Sequence, residues 1–253
     1  MQPFSGFGVV SDVSDSLGIR NKGDYTLVSQ KRQIFKLPAP LPFQTPGEEI
    51  ANSVLHGLGI LLAVAGLVLL VLRSSGYLGG TAAGPLAVTS YVIYSAMLIL
   101  MFLLSTLFHA IQHEGAKRVF QVLDHSAVYL LIAGTYTPFS LLGLGGALGW
   151  IYFGIEWGLA ITGIVLYSVK RDAVMRIIVA VYILMGWAIV LVIHLLWSRI
   201  PRVSFFLLLG GGIIYTMGTF WYLRRHRRVS HVIWHVFAVG GAFCHWFSLW
   251  FMS

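Results

Sequence analysis

The sequence predicts an all-α fold, a seven-transmembrane helix bundle with its N-terminus in the cytoplasm and its C-terminus outside. Three observations carry this reading. Hydrophobic residues make up 57% of the 253 positions and charged residues only 10%, against about 25% charged in an ordinary soluble domain. Seven windows each supply the run of roughly 20 apolar residues that a membrane crossing requires. The 17 Lys and Arg residues fall between those windows in short clusters, mostly on alternate connections.

The elements follow in order. Residues 1–46 read as a soluble cytoplasmic arm, carrying Arg20, Lys22, Lys31, Arg32 and Lys36 and closing on "LPAPLPFQTP", an extended proline-rich linker. No apolar stretch follows a basic start, so no signal peptide is expected there and the first apolar span must direct insertion. Residues 47–253 read as the membrane domain. Its spans are predicted at 50–72, 86–110, 120–142, 147–169, 174–196, 203–223 and 230–252. Glycines recur inside them, as in "LLLGGGIIYTMG", and small residues permit the close helix contacts that hold bundles together in lipid. Pro138 in "AGTYTPF" is expected to kink the third span.

Orientation comes from the basic residues in the connections. The arm and the second-to-third, fourth-to-fifth and sixth-to-seventh loops hold fourteen, and the opposite side holds Arg73, Arg199 and Arg202. The positive-inside rule therefore places the N-terminus in the cytoplasm of a multi-pass plasma (inner) membrane protein. A net charge of +8 in a nucleic-acid binder would form a continuous stripe, whereas these clusters flank apolar runs and suit anionic lipid headgroups. With Cys244 as the single cysteine, no intrachain disulfide can form.

On this topology several ionisable residues converge at the cytoplasmic ends of four spans. They are Glu48, Glu49, Asn52 and His56 on the first, His109 on the second, Asp124 on the third, and His231 and His235 on the seventh. Ionisable groups at membrane depth are costly and tend to mark function. His231 and His235 lie four apart, on one helix face. Adding His109 gives three imidazoles and leaves one position for water, the ligand count of an open catalytic zinc site. Imidazole suits iron, copper and nickel as well, so the spacing predicts a metal more firmly than its identity. Asp124 is placed to hold the bound water or to orient a ligand imidazole. Ser105, one turn deeper than His109, is placed to contact a substrate or its oxyanion. Against this stands the blander reading that such histidines satisfy helix contacts or face headgroups.

The remaining polar residues are read apart from this set. His113 is expected in a solvated loop, His125 at the interface, His226 on the surface, and His194 near the opposite face. Glu49, Asn52 and His56 share a face and suggest a polar clasp between helices. His245 lies ten residues beyond His235, roughly 15 Å along the helix, too far to share a metal. It is expected to bond across the bundle or line a cavity. Glu156, deep in the fourth span, should face a cavity unless protonated or paired, and no role follows from its position.

The segments "EEIANSVLHGLG", "STLFHA", "LDHSAVYLLIAGTYTPF" and "SHVIWHVFAVGGAFCH" resemble the bacterial hemolysin III proteins of the progestin and adipoQ receptor family, whose eukaryotic members include the adiponectin receptors. The likeness runs from about Glu48 to the C-terminus and leaves the arm uncovered. The family pattern falls on Ser105, His109, Asp124, His231 and His235. In the receptor branch such histidines bind zinc on the cytoplasmic side, so the resemblance implies Zn²⁺ here. The wider superfamily includes alkaline ceramidases, which implies hydrolysis of a lipid amide or ester.

Three functions follow as alternatives. The first is a zinc-dependent intramembrane lipid hydrolase serving membrane lipid homeostasis, with membrane lipid as its substrate. The second is a non-catalytic receptor or regulator holding structural zinc. The third is a pore-forming hemolysin, for which the spans show no amphipathic pore-lining pattern.

Overall fold

The computed structural model describes residues 44–79, 83–170, 174, 177–224 and 228–253. The soluble arm expected at 1–46 lies almost wholly outside the described residues, as do Arg225, His226 and Arg227.

The described chain is helical. Helix α1 spans Pro46–Ser74, α2 Gly84–Ala110, α3 Glu114–Pro138 and α4 Gly146–Val169. Helix α5 (Ile178–Trp187) passes through a 3₁₀ turn (Ala188–Val192) into α6 (Ile193–Arg199). Helices α7 (Arg202–Leu223) and α8 (Ser230–Met252) follow. Counting α5 to α6 as one, seven helices are long and apolar enough to cross a membrane. Their bounds match the predicted windows to within two residues except at both ends of the fifth span and at the starts of the first and third, where polar residues extend the helix.

Local chemistry sets these ends. Thr45 caps α1 through a reciprocal pair: its Oγ1 accepts from Glu48 N at 3.3 Å, and Glu48 Oε2 accepts from Thr45 N at 2.8 Å. Such a cap is worth about 1 kcal/mol. His113 caps α3, its Nδ1 accepting from Ala116 N at 3.2 Å, and is exposed as expected of a loop residue.

Pro138 acts differently from a simple kink. Past it the third span widens into a π-helix over Phe139–Leu144, ended by Gly145 at a φ of 63°. Proline cannot donate to the preceding turn, and the wider spiral takes up the mismatch. The 3₁₀ turn in the fifth span was not foreseen, because Ala188–Val192 is uniformly apolar and carries no proline or glycine.

The third span sits at the centre, with 78% of its most apolar stretch buried. Helix α1 packs on α2, α2 on α3, and α3 on α4, while α7 packs on α8 and α8 returns to α1. Glycines allow these approaches. A Cβ on Gly163 of α4 would lie 2.5 Å from the Tyr129 ring of α3, and one on Gly241 of α8 would lie 2.5 Å from the Tyr215 ring of α7. Lipid offers no net drive for burying apolar surface, so this interlocking holds the bundle.

Candidate metal centre

The polar cluster is built by helix ends. The last turn of α2 brings His109, the first turns of α8 bring His231 and His235, and the first turns of α1 bring Glu49 and His56. One ligand atom from each of His109, His231 and His235 lies within 4.8 Å of the other two. His109 and His235 are buried and His231 is half-buried.

The second nitrogens decide what the rings present. His109 Nδ1 lies 2.7 Å from Glu49 Oε2, so it carries the proton and donates to the carboxylate. Glu49 is balanced on its other oxygen by Lys117 Nζ at 2.7 Å. His235 Nδ1 lies 2.8 Å from His56 Nε2. With His235 donating, both rings turn a bare Nε2 toward the same spot. Those two Nε2 atoms are 3.1 Å apart. A cation between them would be met by both lone pairs when His235 donates through Nδ1. Two nitrogens on one tetrahedral zinc lie roughly 3.3 Å apart, given bonds of about 2.0–2.1 Å. The donor set therefore fits a metal ion such as zinc in number and type, and the His109–His235 separation fits its ligand spacing.

Glu49 and His56, read from sequence as a clasp between helices, form one by reaching the Nδ1 atoms of His109 on α2 and His235 on α8. Partners of this kind fix tautomer and ring direction in metal sites. The signal was available: the three-and-four spacing of Glu49, Asn52 and His56 marks a single face. What the sequence lacked was the knowledge that this face turns toward α2 and α8. Asp124 is half-buried, with its carboxylate 3.7 Å from His125 Nδ1. The Nδ1 atoms of His109 and His235 go to Glu49 and His56 rather than to it.

Ser105 is buried one turn below His109. Its Oγ, together with Asn52 Oδ1 and Gln121 Oε1, has no hydrogen-bond partner among the described residues. Buried polar atoms are nearly always paired, and exceptions call for a water, an ion or a substrate. Phe102 closes the deep side, its ring 5.1 Å from that of His56.

The other histidines fall outside the cluster. His125, expected at the interface, is buried, bonded to Gln121 O at 2.8 Å and Tyr222 Oη at 3.0 Å, and stacked on Tyr167. Its 100° offset from Asp124 points it inward between α3 and α7. His194 is exposed on α6. His245 Nε2 donates across the bundle to Leu208 O at 3.2 Å and lines a cavity of about 130 Å³. That cavity runs between α3, α5, α7 and α8 past Val128, Tyr136, Trp187 and Trp234.

Comparison with known proteins agrees with this architecture. A family model described as haemolysin-III related matches residues 44–246. "Hemolysin-3" of Bacillus cereus is 42% identical over 77% of this chain and 87% of its own length. "Hemolysin-3 homolog" of Bacillus subtilis (strain 168) is 39% identical over 81% of this chain and 93% of its own. More distantly, "Monocyte to macrophage differentiation factor" of Homo sapiens is 25% identical over 80% and 83%. The chain is a multi-pass membrane protein of the haemolysin-III-related family.

Proposed function

We propose that the protein is a zinc-dependent intramembrane hydrolase that cleaves an amide or ester of a long-chain membrane lipid. One observation carries this reading. Three imidazoles form the possible metal-ligand group among the described residues, while Glu49 is engaged by His109 and Lys117 and His56 by His235. A set of three protein ligands with a remaining position is the catalytic type of zinc site, whereas a structural site closes with four. This favours hydrolysis over a regulator with structural zinc.

Zinc held by His109, His231 and His235 supplies a Lewis acid and an acidified water. The chain does the rest. Glu49 and His56 keep both Nε2 atoms bare. Asp124 accepts a proton from the attacking water and returns it to the leaving amine or alcohol. Ser105 Oγ donates to the carbonyl oxygen as charge gathers there. The acyl chain lies in the apolar cavity, whose lining from Trp234 to His245 extends roughly 16 Å by helix rise. By the count of basic residues this site faces the cytoplasm.

The test combines metal analysis of purified protein with mass spectrometry of acid released from long-chain lipid amides and esters. Zinc near one per chain and acid release, both lost in His235→Ala, are expected. A zinc-free variant that keeps full turnover would refute the mechanism, as would loaded, folded protein that releases no acid from any of the lipids.

A further inference from the structure

A second buried group lies far from the histidines. Glu156, midway along α4, has no exposed surface, and neither carboxylate oxygen has a hydrogen-bond partner among the described residues. None of the ion pairs among those residues includes it. It does not line the cavity around His245, which leaves protonation or pairing as the expected state of an acid at that depth.

What surrounds it is irregular backbone. Helix α4 packs on α3 and on the π-helix that follows it. Trp157 Nε1 donates to Thr137 Oγ1 at 3.1 Å, which ties the level of Glu156 on α4 to the level of Tyr136 on α3. The ionisable side chains that feel its charge are Tyr136 from α3 and Tyr152 from its own helix. Ser140, in the π-helix, buries a second oxygen without a partner. Tyr136 Oη in turn donates to Gly186 O at 3.1 Å and accepts from Ile189 N at 2.6 Å. That hydroxyl therefore bridges the point where α5 gives way to the 3₁₀ turn, and its ring lines the cavity. Glu156 thus sits on a helix packed against the widened third span, at the level of the tyrosine that reaches the tightened fifth span. Departures of this kind cluster at functional sites.

An ionised carboxylate without a partner is very costly in such surroundings. A neutral acid is not, and the two nearest ionisable groups are phenols rather than cations. We propose that Glu156 is a proton-binding site, separate from the histidine cluster, whose occupancy is sensed by Tyr136 at the break in the fifth span. Its ligand is a single exchangeable proton. On release the O–H bond breaks, the electron pair stays on the carboxylate and the proton passes to bulk water. The new charge then draws the Tyr136 hydroxyl away from Gly186 O and frees the 3₁₀ turn beside the cavity. The level of Tyr136 lies twelve residues past Asp124, roughly 18 Å along α3, so this centre shares no group with the candidate metal site.

The test uses full-length protein in lipid. The infrared difference between wild type and Glu156→Gln should contain the carbonyl stretch of a neutral carboxylic acid at neutral pH. That band should give way to carboxylate bands at alkaline pH while circular dichroism shows an intact fold, and His109→Ala should leave it unchanged. Carboxylate bands at every pH would overturn the proposal, as would an acid band that never titrates. A carboxylate seen only in sodium would replace the proton with a metal cation and equally overturn it. Coupling is read by hydrogen exchange over residues 186–192. The ratio of wild-type to Glu156→Gln rates should rise several-fold with alkalinisation, and a constant ratio overturns the role of Tyr136.

Discussion

Replacing Glu49 by Gln tests its grip on His109. The side chain keeps its size, so packing at the start of α1 is preserved. Two charge-assisted bonds are lost, to His109 Nδ1 at 2.7 Å and to Lys117 Nζ at 2.7 Å. The neutral amide holds the imidazole less firmly in its Nδ1–H form and leaves a buried ammonium uncompensated. Second partners of metal-bound histidines are worth about 10- to 100-fold in affinity, or about 1.4–2.8 kcal/mol. Zinc affinity measured by competition with a chromophoric chelator should fall by that factor. The unpaired Lys117 adds a separate loss of stability, which the double variant Glu49→Gln/Lys117→Met removes. The double variant should therefore regain thermal stability but not zinc affinity. If Glu49→Gln binds zinc as wild type does, or if the double variant recovers affinity with stability, the carboxylate does not orient His109 and the reasoning fails.

Other expectations follow from the same geometry. Zinc content should drop to background in His109→Ala and His231→Ala and stay at the wild-type level in His113→Ala, which only caps α3; equal loss in all three would point to general unfolding. Ser105→Ala should retain zinc while kcat falls by about 10²- to 10³-fold, the usual cost of an oxyanion donor, and unchanged kcat would remove Ser105 from the mechanism. Gly163→Ala should lower stability in detergent by about 1–3 kcal/mol, because the new methyl meets the Tyr129 ring; an unchanged melting temperature would show that this ring moves freely. Thr45→Ala should cost about 1 kcal/mol, seen as faster hydrogen exchange confined to the first turn of α1.

Much of this was legible beforehand, for identifiable reasons. Span positions were readable because lipid demands long apolar runs, and the run at 230–252 coincides with α8 to the residue. Convergence of His109, His231 and His235 followed from putting each at the same membrane depth. Depth, however, says nothing about rotation. That is why the sequence offers Asp124 either to hold a bound water or to orient an imidazole, and reads Glu49 and His56, equally deep, as a clasp without showing which rings it grips. Rotation is set by side-chain interlocking between helices, such as Trp246 over Gly66 where α8 returns to α1, and one span's hydropathy does not record it. The same limit hid the 3₁₀ turn at Ala188–Val192, which exists because Tyr136 of another span captures Ile189 N. Pro138 announced a disturbance, but not that the chain would widen to absorb it.

The first helix has a consequence beyond its hydrogen bonds. Glu48 closes the cap on Thr45 and also accepts from Val229 N at 2.6 Å, pinning the left-handed residue that starts α8. Glu49 and His56 stand behind two of the imidazoles. Helix α1 is therefore a back wall to the histidines, and it contributes nothing to the lining of the cavity around His245. Further along, its Gly59, Ala63 and Gly66 line a second cavity of about 190 Å³ against Phe102 of α2 and Trp246 of α8. One helix thus works as hinge post to the centre at its N-terminal end and as the wall of a separate apolar hollow beyond it.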